Sequence, residues 1–589
     1  MNLRSRSVKT PTRVLAAVLI WLGHGSAEAQ QPEAQQSEGL GARMYERYAV
    51  ATDSAQASEA AREVLSAGGS AADGAAAAML ALGVTSPGSS GLGGGGFLLY
   101  WDAEAKKATF LDFRERAPGA ASPSMFVEAP DHVAEGPLAR PSQIGGLASG
   151  VPGEPAGIDE MLRRFGRIDR NLVVAPALRL AAEGMEVTPY VARMSQHFAD
   201  QMRQDPVMAR WFEADSGGLR AGQTLRQPEL ARTLQAFADG GAAAVYTGAI
   251  AEAIAASNRR AGGLFTLEDL ASYRTAEREP LTGDYLGFRF VTAPPPSAGG
   301  FTMLQSLALL ELWVPVAARR AGPRFLHALA ESWKGPYLDR ARYFGDPDHV
   351  RVPLAAMGAS DRLDQRAQAY HPSLSMPASR FDVPLHPEDP SVAVPDGGGT
   401  SHLCVVDADG NVASVTTTIN LPFGARYTAA GMVMNDEMDD FARAVGAANA
   451  FGLRGGAPNL PAPGKRPVSS MSPTIVFDAR GPVLCVGAAG GSRIITATEQ
   501  VALNLLVLGM EPGEAIAAGR VHHQGDPNRL RVEEFAPLSD AWSADLEARG
   551  HALQEVHHNA VVQLIYIDRE RGRLIAASDP RKGGAPAGD

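Results

Sequence analysis

Apolar and polar positions along the chain predict a protein in which helices come first and paired strands follow. From Ala51 to about Leu82 the chain is Ala-rich with apolar positions at helical spacing, and the break at "AGGSAADG" indicates two buried helices. Residues 155–375 alternate helical segments with Pro/Gly breaks. After Gly399 two β-rich runs surround "DADGN", and a second pair follows in "SPTIVFDARGPVLCVGAAGG". The later third is therefore predicted to be sheet layered with helices.

Two stretches in this pattern have residue types that also occur in functional sites. "FLHALAESWKGPYLDRARYFGD" predicts an amphipathic helix interrupted near Gly335-Pro336, and its His327, Glu331 and Asp339 are more commonly helix-surface or packing residues than a catalytic cluster. "SPGSSGLGGGGFLLYWD" is Gly-rich, but neither a Lys-Ser/Thr pair nor a helical pattern follows it. We therefore predict a tight loop that leads into a buried strand, and no nucleotide site.

The first 29 residues have the organisation of a secretory signal peptide. Basic residues precede an apolar run from Val14 to Gly23, which is shorter than the roughly 20 residues that a membrane span needs. "AEA" at Ala27–Ala29 matches the small-residue pattern of a signal peptidase site. We predict cleavage after Ala29 and a periplasmic or secreted protein that has no membrane segment once the signal is removed. An uncleaved anchor is the alternative.

Composition narrows the choice of partners. The chain of 589 residues has a formal charge of −11, which disfavours nucleic acid as a partner because phosphate binding requires a basic face. Both cysteines, Cys404 and Cys485, lie in runs that read as buried strands. A secreted protein is able to pair them, but we expect each to act as a small buried apolar residue. The sequence has no metal-ligand spacing, and we predict neither a metal nor a cofactor.

The stretch "VPDGGGTSHLCVV" suggests nucleophilic chemistry. A threonine hydroxyl needs an adjacent base, and breaking the bond between Gly399 and Thr400 would give Thr400 a free α-amine beside its own hydroxyl. Such an amine titrates near 7.7 to 8.0 in model peptides, close enough to neutral pH to accept the hydroxyl proton. Three glycines before Thr400 allow a bent path that brings the hydroxyl against the Gly399 carbonyl. Taken alone, the stretch favours an ordinary glycine-rich loop.

Motifs along nearly the whole mature chain favour the nucleophile over an ordinary loop. "SSGLGGGGF", "LDFRERAP", "APPPSAGG", "NDEMDDF", "GKRPVSSMSPTIV", "AAGGSRIIT" and "ASDPRKGG" accompany the glycine–threonine stretch. In residues and order they resemble the γ-glutamyltransferase (γ-glutamyltranspeptidase) family of N-terminal nucleophile hydrolases. This chain has Thr400-Ser401 where paired threonines are common, which leaves the nucleophile intact.

The resemblance implies roles for particular residues. It makes Thr400 the nucleophile, Thr418 its hydrogen-bonding partner, and the backbone of Gly490 and Gly491 the donors to the developing oxyanion. Thr418 and Asn420 lie two apart in a predicted strand, so we expect both side chains on one face.

The resemblance also implies separate binding residues for the two charged groups of a donor. For the α-carboxylate of a γ-glutamyl donor it implies Arg114, Ser469 and Ser470, and for the α-ammonium it implies Glu437, Asp440 and Asn420. The aperiodic segment between Phe441 and Gly464 resembles the lid of some relatives, with Phe451 as its aromatic gate; a disordered excursion is the alternative.

Together these observations predict an autoprocessed enzyme with a four-layer αββα fold. The expected pieces are a signal peptide (1–29), a large subunit (30–399) and a small catalytic subunit (400–589) that remain together as a heterodimer. The expected reaction moves the γ-glutamyl group of glutathione and related amides to water, or to amino acid or peptide acceptors. A glutaryl-type (cephalosporin) acylase and a catalytically silent secreted binding protein are the alternatives.

Overall fold

The computed structural model describes residues 41–128, 140–212, 217–315, 318–386, 399–447, 449–450, 453 and 455–589. Its helices are α1 (Ala55–Ser66), α2 (Ala71–Thr85), α3 (Met125–Glu128), α4 (Glu154–Phe165), α5 (Arg170–Glu183), α6 (Pro189–Met202), α7 (Pro228–Gly240), α8 (Ala242–Tyr246), α9 (Gly248–Arg260), α10 (Leu267–Ala271), α11 (Gly299–Trp313), α12 (Pro323–Tyr343), α13 (Leu354–Met357), α14 (Ser360–Ala367), α15 (Ile494–Leu506), α16 (Pro512–Ala517) and α17 (Asp540–Ala548).

The strands are β1 (Ala42–Tyr45), β2 (Ala49–Thr52), β3 (Gly95–Asp102), β4 (Lys107–Phe113), β5 (Met185–Glu186), β6 (Thr224–Leu225), β7 (Ala276–Arg278), β8 (Leu281–Tyr285), β9 (Phe288–Thr292), β10 (Ser401–Val406), β11 (Val412–Thr418), β12 (Thr428–Ala429), β13 (Met432–Val433), β14 (Thr474–Asp478), β15 (Gly481–Ala489), β16 (Val521–His522), β17 (Leu530–Glu533), β18 (Leu553–Val556), β19 (Val561–Asp568), β20 (Arg573–Ser578) and β21 (Ala587–Gly588).

Two seven-stranded antiparallel sheets form the centre of the molecule. Sheet I has the order β1-β20-β19-β15-β14-β9-β8, and sheet II has the order β21-β2-β10-β11-β3-β4-β7. Both predicted hairpins are present, β10 with β11 in sheet II and β14 with β15 in sheet I. Helices α1, α2 and α4 contact sheet II, whereas α11, α15 and α16 contact sheet I. The expected four-layer αββα sandwich is confirmed.

Burial on both faces explains the apolar runs of the central strands. In β3, Leu98 belongs to the core under α1 and α2, while its neighbours Phe97 and Leu99 belong to the core that includes the space between the sheets. All six residues of β10 are buried for the same reason. Alternate side chains of a strand point to opposite faces, so a strand between two cores is buried at successive positions and is rich in consecutive apolar residues, such as the last four of β10.

The long helix α12 corrects one expectation. It continues through Gly335 and Pro336 to Tyr343 without the predicted interruption, and it is buried on all sides from His327 onward. A Cβ at Gly335 would lie 2.4 Å from Nε of Arg366, so this glycine leaves room for an arginine from α14 and does not break the helix.

The two cysteines correct a second expectation. Cys404 on β10 and Cys485 on β15 form a disulfide with their Cα atoms 6.0 Å apart. Because β10 is in sheet II and β15 is in sheet I, the bond joins the two facing sheets. Strand burial was predicted correctly, but the pairing depends on the stacking of two sheets, which neither strand pattern encodes.

The predicted signal peptide, residues 1–29, lies outside the described residues and stays a prediction. Among the described residues, no helix combines the length and the apolar character needed to cross a membrane.

Candidate active site

Thr400 lies at the end of a central strand, where the register of its hairpin determines its neighbour. Strand β10 begins at the next residue, and Ser401 pairs with Thr417 of β11. Continuing this antiparallel register by one step places Thr400 opposite Thr418. Their hydroxyl oxygens lie 3.1 Å apart, and both residues are buried.

The chain is continuous through Gly399 and Thr400, and the hydroxyl of Thr400 donates to the carbonyl oxygen of Gly399. The Thr418 hydroxyl donates to the same oxygen at 3.4 Å and accepts from the backbone N–H of Asn420 at 2.8 Å. The predicted nucleophile, the carbonyl group before it and a second hydroxyl thus lie within one hydrogen-bonded group.

Space explains the glycine at position 399. A Cβ there would lie 2.7 Å from the carbonyl oxygen of Asn420 and 3.0 Å from the backbone nitrogen of Pro422. The backbone N–H of Gly399 also donates to that Asn420 carbonyl at 3.0 Å. A side chain at Gly399 would push its carbonyl away from Thr400.

A small cavity next to Thr400 brings most of the predicted site residues together. Its lining consists of Arg114, Thr400, Thr418, Asn420, Glu437, Asp440, Leu453, Ser469, Ser470, Met471, Gly491, Ser492 and Ile494. Gly490 is adjacent in sequence but is not part of the lining, and Phe451 lies outside the described residues. A larger, charged cleft, bounded by residues such as Trp101 and Asp407, lies at the opposite strand ends and contains none of these residues.

Arg114 is the charged centre of this cavity. It follows directly after β4, is 1% exposed, and forms ion pairs with Glu437 and, at 2.5 Å, with Asp440. Both acids lie on a short 3-10 helix, Glu437–Asp440. The residues predicted to bind opposite charges of a substrate therefore bind one another in this structure.

Burial makes the acids of this group weak. It raises the pKa of Glu437 well above its usual range and also raises that of Asp440, in each case against the opposing effect of the Arg114 guanidinium. Glu115, which the sequence reasoning did not select, has a pKa raised to about 8 by burial, and it lies 3.9 Å from Arg114. Its position next to Arg114 in "DFRERAP" was the available signal.

Asn420 reaches the cavity in a different way from the one predicted. Strand β11 ends at Thr418, and Asn420 has a φ of 73°, in the left-handed region that asparagine tolerates better than most residues. Its side-chain amide donates to the carbonyl oxygen of Asp436 at 2.9 Å. The neighbouring roles of Thr418 and Asn420 thus come from a turn and not from one strand face.

The two serines lie just before β14. Ser469 Oγ accepts from the backbone N–H of Met471 at 3.0 Å, and Ser470 Oγ accepts from Nη2 of Arg340 at 3.0 Å. Arg340 was not selected from the sequence.

Gly490 and Gly491 connect β15 to α15 with φ values of 141° and 62°. Both values fall in the region that favours glycine, so a residue with a Cβ would strain this turn. Gly491 opens a 3-10 turn that continues into α15, which places the turn at a helix N-terminus, where backbone N–H groups lack partners within the helix.

The segment predicted as a lid contacts the site at its described residues. Asn449 donates to the Asp440 carboxylate at 3.0 Å, the Ala450 N–H donates to Asp439 at 2.6 Å, and Leu453 lines the cavity. These contacts place part of the segment over the acidic side of the cavity.

Lys582 is, after Glu115 and Arg340, a third residue that was not selected from the sequence. Its Nζ donates to the Thr400 carbonyl oxygen at 3.1 Å and to Ser89 Oγ at 3.0 Å, and it forms a buried ion pair with Asp53. The C-terminal segment thereby holds the backbone of Thr400.

His327, Glu331 and His551 form a buried group whose nitrogen and carboxylate atoms lie within 4.8 Å of one another. The two imidazoles share a hydrogen bond of 2.8 Å, and Glu331 accepts from Nζ of Lys334 at 2.6 Å and from the N–H of Met376 at 3.0 Å. The lysine ammonium already neutralises the carboxylate. We therefore interpret the group as a packing network. Of the helix-surface or packing roles expected for His327, Glu331 and Asp339, the surface role is wrong, because all three side chains are buried.

Comparison with known proteins agrees with this geometry. The family described as Gamma-glutamyltranspeptidase matches residues 57–589. A "Glutathione hydrolase proenzyme" of Escherichia coli (strain K12) is 37% identical over 538 residues, which cover 90% of this chain and 90% of that protein.

Two solved structures extend the comparison. The cephalosporin acylase from Bacillus halodurans aligns with a TM-score of 0.80 at 25% identity, covering 97% of this chain and 99% of that one. The γ-glutamyltranspeptidase of Helicobacter pylori aligns with a TM-score of 0.52 at 32% identity, covering 56% of this chain and 95% of that one. Family match, fold and arrangement of the site agree, and the chain belongs to the γ-glutamyltranspeptidase family of enzymes.

Proposed function

We propose that this protein is an autoprocessed γ-glutamyltransferase and glutathione hydrolase with Thr400 as its nucleophile. The observation that carries the proposal is the cavity in which the Thr400 hydroxyl, the Arg114 guanidinium and the carboxylates of Glu437 and Asp440 meet. A γ-glutamyl donor carries an α-carboxylate and an α-ammonium at one end and the scissile amide at the other. The cavity offers complementary groups for each.

Processing begins with attack of Thr400 Oγ on the carbonyl carbon of Gly399. The C–N bond breaks, an ester forms between the Gly399 acyl group and Oγ, and the hydroxyl proton passes to the released amine. Water then hydrolyses the ester and leaves a Gly399 carboxylate and a free Thr400. The hydroxyl at the Gly399 carbonyl, the tight packing around Gly399 and the Thr418 hydroxyl at 3.4 Å from the carbonyl oxygen support this step.

Turnover uses the same hydroxyl on an external amide. The freed α-amine of Thr400 takes the hydroxyl proton, Oγ attacks the γ-carbonyl of the donor, and the amine half leaves after accepting that proton. Water or an acceptor amine then releases the γ-glutamyl group from the ester. The turn at Gly490 and Gly491, at a helix N-terminus, is suited to donate N–H groups to the oxyanion.

Donor binding exchanges one set of ion pairs for another. The α-carboxylate would replace the acids at Arg114, with Ser469 and Ser470 as further donors, and the α-ammonium would take the place of the guanidinium at Glu437 and Asp440. A bidentate guanidinium–carboxylate pair gives both orientation and affinity. A zwitterionic donor end forms a new ion pair for each one that it breaks, with Arg114 on one side and with the two acids on the other. It therefore fits this pocket better than a singly charged donor end.

The pieces produced by cleavage are expected to stay together. One continuous core, which includes the space between the sheets, contains Phe97 and Trp333 from the large part and Leu484 and Ile565 from the small part. Separation would expose this surface to water, at roughly 25 cal/mol for each Å² of apolar area. We propose a heterodimer of residues 30–399 and 400–589, exported by the signal peptide to the periplasm or medium, with glutathione as donor and amino acids or peptides as acceptors.

A glutaryl-type acylase is the second candidate, because the fold also matches a solved cephalosporin acylase. A glutaryl group has a carboxylate but no α-ammonium. Glu437, 1% exposed, and Asp440, 9% exposed, would then be two acids largely removed from water without a cationic ligand, which is costly. Their presence favours the γ-glutamyl donor.

A matched assay separates these functions. The purified protein and its Thr400→Ala variant are compared on γ-glutamyl and glutaryl 4-nitroanilides, with gels and intact mass of both proteins. We expect two chains and γ-glutamyl turnover from the wild type, and one uncut chain with at least about a thousandfold lower activity from the variant. Glutaryl turnover alone would favour the acylase. An intact chain that turns over neither would favour the binding protein.

A further inference from the structure

Arg340 on α12 is a buried guanidinium with very few partners. It is 6% exposed, and its Nη2 donates to Ser470 Oγ at 3.0 Å. Its Nε is buried and has no hydrogen-bond partner among the described residues. A guanidinium has five N–H donors, and leaving buried donors unpaired costs free energy. Such a residue needs an explanation.

Its neighbours on the same helix do not share this property. Asp339 accepts from Arg362 and Arg366 at 2.5 to 3.1 Å, and Arg342 forms a bidentate pair with Asp382 at 2.7 and 2.9 Å. The sparse bonding of Arg340 is therefore specific to the position that faces Ser470.

The bond to Arg340 determines what the Ser470 hydroxyl can do. A serine hydroxyl has one proton to donate and two lone pairs that accept. Because Arg340 donates to one lone pair, the Ser470 proton is free for another acceptor, and a neighbouring positive charge makes that proton a stronger donor. Because Ser470 lines the cavity, its hydroxyl proton can be donated to a ligand in the donor pocket.

The charge of Arg340 is a second feature that needs an explanation. Arg114 is already paired with Glu437 and Asp440, whereas Arg340 forms no ion pair within 4.0 Å among the described residues. Burial lowers the pKa of Arg340 to about 10, with Asp440 opposing that effect, so the side chain stays protonated at neutral pH. The cavity is thus lined by one ion-paired guanidinium, that of Arg114, while the guanidinium of Arg340 lies outside the lining and is hydrogen-bonded to the lining residue Ser470.

We propose that Arg340 is a positioning residue for donor recognition: it holds Ser470 as a hydrogen-bond donor to the α-carboxylate and adds positive charge at that end of the pocket. This inference rests on the proposed γ-glutamyl donor. It acts on binding of the donor end, away from Thr400, so it predicts a change in KM with little change in kcat.

The test is a double-mutant cycle on γ-glutamyl 4-nitroanilide with Arg340→Met, Ser470→Ala and the combination. We expect Arg340→Met to process normally, with a KM raised about ten- to a hundredfold and kcat within about threefold of the wild type. If Arg340 works through Ser470, adding Arg340→Met to Ser470→Ala raises KM much less than it does alone. Arg340→Lys, which keeps a charged donor, is expected to recover part of the loss.

Arg342→Met is the matched control, because it removes a guanidinium from the same helix away from the cavity lining, and it is expected to leave KM unchanged. An unchanged KM in Arg340→Met, or fully additive effects in the cycle, would overturn the inference while leaving the proposed function intact. If Arg340→Met fails to fold, Arg340→Lys takes its place in the cycle with Ser470→Ala. A role through Ser470 would be contradicted if Arg340→Lys leaves KM unchanged both in the wild type and in the Ser470→Ala variant. A wild type inactive on γ-glutamyl anilide overturns the proposed function and this inference with it.

Discussion

The hydroxyl oxygens of Thr400 and Thr418 lie 3.1 Å apart because the residues face each other at the end of the β10–β11 hairpin. The hairpin register therefore gives the proposed nucleophile a neighbouring hydroxyl without any contribution from the rest of the fold. Thr418 also accepts from the Asn420 N–H at 2.8 Å, which fixes its side chain.

Thr418→Val should slow both self-cleavage and turnover, because valine keeps the shape of threonine and removes the hydroxyl. We expect an effect of about a hundredfold on each rate, as for the loss of one donor to a developing oxyanion. Gel analysis of cleavage against time and kcat of the processed fraction measure the two effects. Thr418→Ser keeps the hydroxyl and serves as the control; a Thr418→Val variant as fast as the wild type would remove Thr418 from the mechanism.

Lys582→Met should destabilise the protein, because it leaves the Asp53 carboxylate buried without its cation. The two side chains are 2% and 0% exposed, and breaking a pair of this kind costs about 3 to 5 kcal/mol. Denaturant unfolding measures the loss. The double variant Asp53→Asn with Lys582→Met should be less destabilised than Lys582→Met alone, and a strictly additive result would mean that the pair is not coupled.

The disulfide should stabilise the fold without joining the two subunits, because Cys404 and Cys485 both follow the proposed cleavage site. The closed loop spans 81 residues, for which chain-entropy arguments give about 4.5 kcal/mol. We expect Cys404→Ala with Cys485→Ala to melt at a lower temperature. A gel without reductant should still show two separate chains, and a single band that separates only on reduction would contradict the assigned pairing.

Glu499 should make stability fall as pH rises. Burial raises the pKa of this carboxyl to about 8, against hydrogen bonds from Ser306 at 2.6 Å and Trp333 at 2.9 Å. The folded protein therefore holds a proton that the unfolded chain has released, so stability decreases from about pH 4.5 to about pH 8 and is level above that.

Glu499→Gln should remove this contribution, so its stability relative to the wild type should improve by roughly 2 to 4 kcal/mol between pH 5 and 8. Unfolding free energies at several pH values measure the slope. Glu311→Gln, at an exposed position on α11, is the control and should follow the wild type. Parallel curves for Glu499→Gln and the wild type would show that the carboxyl is ionised in the folded state.

The sequence by itself determined the local elements and the residue types of the site. The spacing of apolar residues and the turn residues predicted both hairpins and the two helices after Ala51, because these elements depend on neighbours along the chain. The glycine–threonine stretch and the family motifs named the residues that line the cavity, since these residues stand in recognisable local contexts.

Only the tertiary structure decided how distant segments combine. Pairing of Cys404 with Cys485 required the two sheets to stack, and α12 remained unbroken because Gly335 admits Arg366 from another helix. Arg340 and Lys582 had no distinguishing pattern, because their importance comes from Ser470 and Thr400, each more than a hundred residues away in sequence. Such contacts form when the layers pack together, so a local pattern of apolar and polar residues does not predict them.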